Sequence, residues 1–290
     1  MNHPGQLLKT HNLRASKARG QNFLTQPASA AAIARAANIT PEDVVVEIGG
    51  GLGALTLALA PLAQRVISLE VDRGLLPVLQ ALLDEAGAAN VEVRLADALD
   101  FAWAAEAAAA GRPLVVAGNL PYAISSPLLF ALVENRAHWT GATLMVQREV
   151  AQRLVAGPGG KDYGRLAVLI QTWCTTRPGM VLGPDQFFPR PAVESQVVHL
   201  TPREAPLVAW AMGEKGQWFA QVVKAAFSQR RKTLLNSLAA GLGLEKPLVA
   251  AALARAGVDP GRRAEALGIP ELGAVAAVLP GAPAELAAPA

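Results

Sequence analysis

Asn119-Leu120-Pro121-Tyr122 carries the most specific chemistry in this chain. The Asn119 side-chain oxygen and the Leu120 carbonyl are two neutral acceptors. Pro121 stiffens the bend so that both face one point, and Tyr122 offers a ring on which an extruded base can stack. Such a pair suits an exocyclic aromatic amine whose lone pair is delocalised into its ring, as in adenine N6. Accepting both N–H hydrogens turns that lone pair outward toward an electrophile such as a sulfonium methyl. Positioning and electrostatics then do most of the work, and no strong base is needed. The plainer alternative is a turn with a buried tyrosine. Its place after a strand, downstream of a glycine-rich loop, weighs against that.

The loop is Glu47-Ile48-Gly49-Gly50-Gly51-Leu52-Gly53-Ala54. Residues without side chains let backbone amides and a helix N-terminus come close to a ligand. Gly49, Gly51 and Ala54 also satisfy the dinucleotide pattern G-x-G-x-x-A. Glu70 follows about twenty residues on, where a carboxylate can bind ribose hydroxyls. The loop therefore fits NAD and S-adenosylmethionine equally well. Asp97, in Ala96-Asp97-Ala98, is a third acceptor, placed for an adenine amino group or else for a plain helix N-cap. Acidic positions at successive strand ends favour a nucleotide. The Asn119–Tyr122 bend disfavours a dehydrogenase, which has no use for it.

These residues need strand ends to hold them. From Val44 onward short β-branched runs alternate with helical stretches, the signature of an α/β fold with a parallel sheet covered on both faces. Strands are expected at 44–48, 65–71, 91–95, 114–117 and 143–147, with helices at 54–60, 75–85, 102–110 and 127–134. A helix at 165–173 and strands near 180–182 and 193–200 complete a Rossmann-like seven-stranded sheet. Pro202 and Pro206 mark a boundary, beyond which Phe219, Val222, Val223, Ala226, Phe227, Leu234, Leu235 and Leu238 recur at helical spacing. The expected organisation is a basic segment 1–40, a sheet domain 41–203, a smaller all-helical domain 204–279 and a disordered Ala/Pro-rich tail 280–290.

With 290 residues and 52% hydrophobic content the chain can build its own core. Its single cysteine, Cys174, excludes a disulfide framework, and four scattered histidines give no metal-ligand spacing. The expectation is a metal-free cytoplasmic protein with no membrane span. A basic start without acids also fits a transit peptide. Residues 1–40 hold five Lys/Arg and no Asp/Glu, residues 41–200 eleven against sixteen, and residues 201–290 ten against seven. Basic ends around an acidic middle suit a polyanion, although an ordinary solvated surface has the same composition.

Taken in order, the blocks resemble the KsgA-type small-subunit ribosomal RNA adenine dimethyltransferases from about Lys17 to Leu279. They are Gly20-Gln21-Asn22-Phe23-Leu24, Glu47–Gly51, Glu70, Asp97, Asn119–Tyr122, Gln147–Leu154, Tyr163–Leu166, Phe187–Ser195, Ala226–Leu234 and Arg263-Ala264-Glu265. The resemblance implies S-adenosylmethionine as cofactor, with Gln21, Asn22, Leu24, Glu47, Gly49, Gly51, Glu70, Val71, Asp97, Ala98 and Asn119 at its site. It implies transfer of four methyl groups to two adjacent adenines in a hairpin near the 3′ end of 16S rRNA, in an assembling pre-30S subunit, by a monomer. Phe187 becomes a second stacking partner opposite Tyr122, although composition alone favours core. Arg230, Arg231 and Lys232 become RNA-binding, with Arg148 and Arg153 as further candidates. The chain departs from the pattern at Arg19 (often aromatic), Gly50 (often proline), Ala123 (often Asn) and Ala192 (usually Lys). Gly50 is expected to loosen the cofactor loop. Resistance-type 23S rRNA adenine methylases share the catalytic motifs, and non-catalytic ribosome assembly or transcription factors share the fold. Leu120 and the Arg230–Lys232 block favour the small-subunit type, and retention of Glu70, Asp97 and Asn119 favours catalysis. A DNA adenine methylase lacks room here for a target-recognition domain.

Overall fold

A computed structural model describes residues 3–16 and 19–283. Lys17 and residues 284–290 of the expected tail lie outside the described residues. The strands are β1 (Phe23–Leu24), β2 (Val44–Ile48), β3 (Arg65–Glu70), β4 (Val91–Leu95), β5 (Leu114–Asn119), β6 (Trp139–Gln147), β7 (Cys174–Leu182), β8 (Phe187–Phe188) and β9 (Ser195–Pro202). Seven of them form one sheet in the order β4-β3-β2-β5-β6-β9-β7, while β1 and β8 pair antiparallel as a separate ribbon. The chain divides into two compact units. One is Met1–Ala151 with Thr176–Pro202, and the other is Gln152–Thr175 with the chain from Arg203 onward. The helix Arg165–Trp173 therefore belongs with the C-terminal helices, where the sequence pattern alone assigns it to the sheet domain.

In the first unit, β2 and β5 are central and run parallel, Glu47 opposite Ala117 and Ile48 opposite Gly118. Val-rich strands of this kind are buried on both faces. All five residues of β2 are buried, as are five of the six in β5. The sheet is mixed, because β9 runs antiparallel to β6 with Met145 opposite Val197. Crossover helices, among them Ala54–Leu59, Leu76–Glu85, Trp103–Ala110 and Ser125–Glu134, return the chain between parallel strands. As a result the carboxyl ends of β2, β3, β4 and β5 open along one edge. This is where an open α/β sheet binds ligands.

The second unit is a helical core of its own. Phe219, Val222 and Val223 pack with Leu234, Leu238, Leu253, Leu272, Val275 and Tyr163, all nearly inaccessible to solvent. Helices Gly213–Ala226 and Leu234–Leu242 cross closely at Gly241, where an added Cβ would meet the Ala225 Cβ at 2.6 Å. Thr233 caps the second of these helices, its Oγ1 accepting the Asn236 N–H at 3.4 Å. Of the expected tail, residues 280–283 are described, with Ala282 N–H donating to the Leu279 carbonyl at 3.1 Å.

Candidate active site

At the carboxyl end of β2 the chain turns through Gly49 (φ 82°), Gly51 (φ 55°) and Gly53 (φ 79°). Only glycine takes these left-handed conformations without strain. A side chain at Gly51 would also press within 3.1 Å of the Phe23 ring. The turn is tied to β3 by Gly49 and Gly50 N–H bonds to the Leu69 carbonyl, at 2.9 and 3.1 Å. Gly50 does not loosen it. A Cβ there would fall 2.2 Å from Ser68 Oγ, so in this chain Ser68 fills the space that a larger residue at 50 needs.

Glu70 ends β3 beside this turn. One carboxylate oxygen accepts the Gly51 N–H and the other the Asp72 N–H, both at 2.8 Å. Burial pushes its carboxyl above the ordinary value, while those backbone bonds pull the other way. Asp97 lies past β4, exposed, one oxygen accepting the Leu99 N–H at 2.9 Å. Val71, at 44% exposure an unusually open apolar side chain, stands between them in sequence and on the same wall.

The bend follows β5. Asn119 Nδ2 donates to the Asn22 carbonyl at 2.9 Å, which turns its Oδ1 away from that partner and leaves it as an acceptor. Leu120 is buried and its N–H donates to the Met145 carbonyl at 3.0 Å, fixing the plane of the bend. Tyr122 is half-buried, with its hydroxyl 2.5 Å from Ser195 Oγ, and burial raises its ionisation above the usual range. The phenol therefore stays neutral and its ring is held at the edge.

These groups share one cleft of about 720 Å³ including its open mouth, within the range of small-molecule sites. Gln21, Asn22, Gly49, Gly51, Glu70, Val71, Asp97, Ala98, Asn119, Leu120, Pro121 and Tyr122 all line it. Three expected members do not. Glu47 is fully buried under the turn, one oxygen accepting the Thr56 and Ser68 hydroxyls at 2.6 Å each, and supports the site from beneath. Leu24 and Phe187 are opposite one another in the β1–β8 ribbon and sink into the core at 3% and 4% exposure. Side chains alternate along a strand, so Phe23 rather than Leu24 reaches the cleft. Sequence reasoning misses Phe23, because a strand of two residues shows no alternation in the sequence. It names Arg19, which lines the cleft, only as a departure from the family pattern, and misses Asp72, which bonds to Arg19 and Gln21. None of the basic candidates is among the lining residues: Arg148 is paired with Glu194, Arg153 is exposed on the helix Arg148–Val155, and Arg230, Arg231 and Lys232 are exposed in the connection before Thr233. Arg230 also donates to the Lys161 carbonyl at 2.7 Å. Among the described residues no group of three or more His, Cys, Asp or Glu is arranged to hold a metal.

A glycine turn, a carboxylate at the next strand end and a second one past β4 form a set of polar contacts for a nucleoside, the carboxylates as acceptors. The Asn119–Tyr122 bend adds a second, base-sized position beside it. Residues 12–267 match the family described as ribosomal RNA adenine dimethylase. A relative from Desulforapulum autotrophicum, named ribosomal RNA small subunit methyltransferase A, is 44% identical over 93% of this chain and 94% of its own. A dimethyladenosine transferase from Plasmodium falciparum superposes with a TM-score of 0.71 at 27% identity, over 87% of this chain and 95% of its own. The 23S rRNA methyltransferase ErmE gives 0.66 at 27%, over 89% and 99%.

Proposed function

Since this chain belongs to the ribosomal RNA adenine dimethylase family, we propose that it dimethylates N6 of two adjacent adenines in the hairpin near the 3′ end of 16S rRNA. It is an S-adenosylmethionine-dependent methyltransferase. Its substrate form is the assembling small subunit, on which it acts as a cytoplasmic monomer. Among the described residues no helix is long and apolar enough to cross a membrane.

The residues fit the cofactor. Glu70 would hold the ribose hydroxyls and Asp97 the adenine amino group, while Val71 and Ala98 offer the nucleoside base apolar contact. Backbone at Gly49 and Gly51 admits the ligand closely, and Gln21 and Asn22 cover it. When bound, S-adenosylmethionine supplies an electrophilic methyl group on sulfur. The protein's part is to aim the amine. In the first transfer Asn119 Oδ1 and the Leu120 carbonyl accept the two amine hydrogens, in the second one of them accepts the single hydrogen left, and Tyr122 stacks on the base. Each time the new N–C bond replaces the S–C bond, and the amine's displaced proton passes to solvent. Neither acceptor is a base, so the rate comes from orientation and from a preorganised polar site.

The observation that carries this reading is the 2.9 Å bond from Asn119 Nδ2 to the Asn22 carbonyl. It supports the reading because, with Nδ2 engaged, Oδ1 is the end left to accept from a substrate amine. Asn119→Ala is expected to lower kcat by about a hundredfold or more, as loss of a preorganised polar group does, with cofactor affinity nearly kept. The deciding assay incubates labelled cofactor with undermethylated small subunits, large subunits and free RNA, then maps the modified bases. Label in small-subunit adenines supports the reading. The likeness to a 23S rRNA methyltransferase keeps a second one alive, and label confined to large-subunit RNA would establish it instead.

A further inference from the structure

Asp72 has no part in the roles assigned so far, yet it fastens the cofactor side of the cleft. Its Oδ2 accepts from Arg19 Nη1 at 2.6 Å and from Gln21 Nε2 at 2.9 Å. Its Oδ1 accepts the Gly74 N–H at 3.1 Å, and its own N–H donates to Glu70 Oε1 at 2.8 Å. Gln21 in turn closes a loop on Ser16: its Oε1 accepts the Ser16 N–H at 2.7 Å, and its N–H donates to the Ser16 carbonyl at 3.2 Å. Residues 19–22 thus cross the mouth of the cleft as a strap. One end is held by Asp72 and the other runs into the β1–β8 ribbon. At that second end, the Asn22 carbonyl receives the Asn119 amide at 2.9 Å.

We propose that Asp72 is a positioning residue that holds this strap closed, retaining the methyl donor and, through the Asn22 carbonyl, keeping Asn119 Oδ1 aimed at the target amine. The inference rests on the cleft holding S-adenosylmethionine. Asp72 is 18% exposed and Arg19 50%. The Gln21 bond is therefore shielded and charge-assisted, whereas the Arg19 pair is open to salt. Arg19 stands where the family often has an aromatic, and here it secures the strap by charge instead of packing. Because one strap touches both halves of the site, loosening it must act on both. A donor held by a closed strap leaves slowly, and an Asn119 that loses its carbonyl partner can rotate its acceptor away.

The test uses the full chain and labelled S-adenosylmethionine, whose dissociation is followed by chase with unlabelled donor. Asp72→Asn leaves too few acceptor sites for Arg19, Gln21 and Gly74 together. It is expected to release donor about tenfold faster, the scale of one lost charge-assisted bond. Backbone amides of residues 19–24 should exchange hydrogen faster, and kcat at saturating donor should fall as well. Arg19→Gln, at an exposed position that cannot unfold the protein, should speed release about two- to fivefold and abolish the salt dependence of the rate. Asp72→Glu should restore part of both effects. Wild-type release rates in Asp72→Asn and Arg19→Gln would overturn the role of Asp72. Faster release with unchanged kcat would overturn its link to Asn119. No donor binding by the wild type would overturn the functional reading beneath it.

Discussion

Two buried contacts carry the residue-scale consequences. Gly50 and Ser68 share one space, since a Cβ at 50 would come 2.2 Å from Ser68 Oγ and 2.9 Å from Leu79 Cδ2. Gly50→Ala should cost about 1–3 kcal/mol of stability, as overpacking does. Ser68→Ala removes the first clash, so the double variant should recover part of that loss, read as a coupling energy in a denaturation cycle. Strictly additive losses would mean that Ser68 is not what excludes a side chain at 50. Glu47 is the second case. Burial raises its carboxyl from 4.5 to about 7, against the pull of the Ser68 and Thr56 hydroxyls, and its Oε1 has no hydrogen-bond partner. The unfolded chain gives up this proton at about 4.5, so between there and about 7 the folded state binds more protons and stability falls as pH rises. Glu47→Gln has no proton to lose. Its stability relative to wild type should climb across that window by about 3–4 kcal/mol, because each tenfold difference in proton affinity is worth about 1.4 kcal/mol, and flatten above it. A constant gap from pH 4 to 8 would refute the buried carboxylate's role.

At the scale of elements, β5 matters because Asn119 ends it. Gly118 lies opposite Ile48, and a Cβ there would meet the Ile48 carbonyl oxygen at 2.7 Å. Backbone cannot rotate aside as a side chain can. Gly118→Ala should therefore push β5 off β2 and displace Asn119 by a few tenths of an ångström, lowering kcat by about tenfold or more while donor affinity changes less. An unaltered kcat would show that the bend tolerates a shifted strand. Much of this layout was legible from short β-branched runs alternating with helical stretches: β2 and β4 match their expected bounds, and the helix Arg165–Trp173 matches fully. The misses have causes. Strand β7 begins at Cys174 rather than near Met180, because most of its residues are exposed and Pro178 and Gly179 interrupt it, as suits the sheet's edge. The β1–β8 ribbon is two residues long and leaves no periodicity to read. The family resemblance places Leu24 and Phe187 at the cleft, whereas their pairing partners and burial are set by tertiary contacts. The helix Pro4–Thr10 was missed too, its cap being His3, whose Nδ1 accepts the Gly5 N–H at 3.1 Å, in place of the Ser, Thr, Asp or Asn that usually signals a start. The cleft itself was legible, since chemistry at strand ends survives in sequence where packing does not.

For the molecule as a whole, a formal net charge of +3 conceals how its signs are sorted along the chain. Phosphate contacts release counterions, so each cation that meets one adds about 0.7–0.9 to the slope of log affinity against log salt. Exposed charge counts fully only where no carboxylate already neutralises it. Arg148 is paired with Glu194, whereas Arg231 and Lys232 are exposed and Arg230 gives a hydrogen bond to a neutral carbonyl. Replacing Arg230, Arg231 and Lys232 together by alanine should therefore flatten the slope for small-subunit RNA by about 2–3. Arg148→Ala should flatten it by less, because removing the arginine frees Glu194 to repel phosphate while subtracting no net cation that was available. Donor binding should be unchanged in the triple variant, since none of the three lines the cleft. Titration of labelled RNA across a salt series decides it: equal slopes in wild type and triple variant would place the polyanion on some other face. A flatter slope accompanied by weaker donor binding would mean that these cations act on the cleft and not on RNA alone.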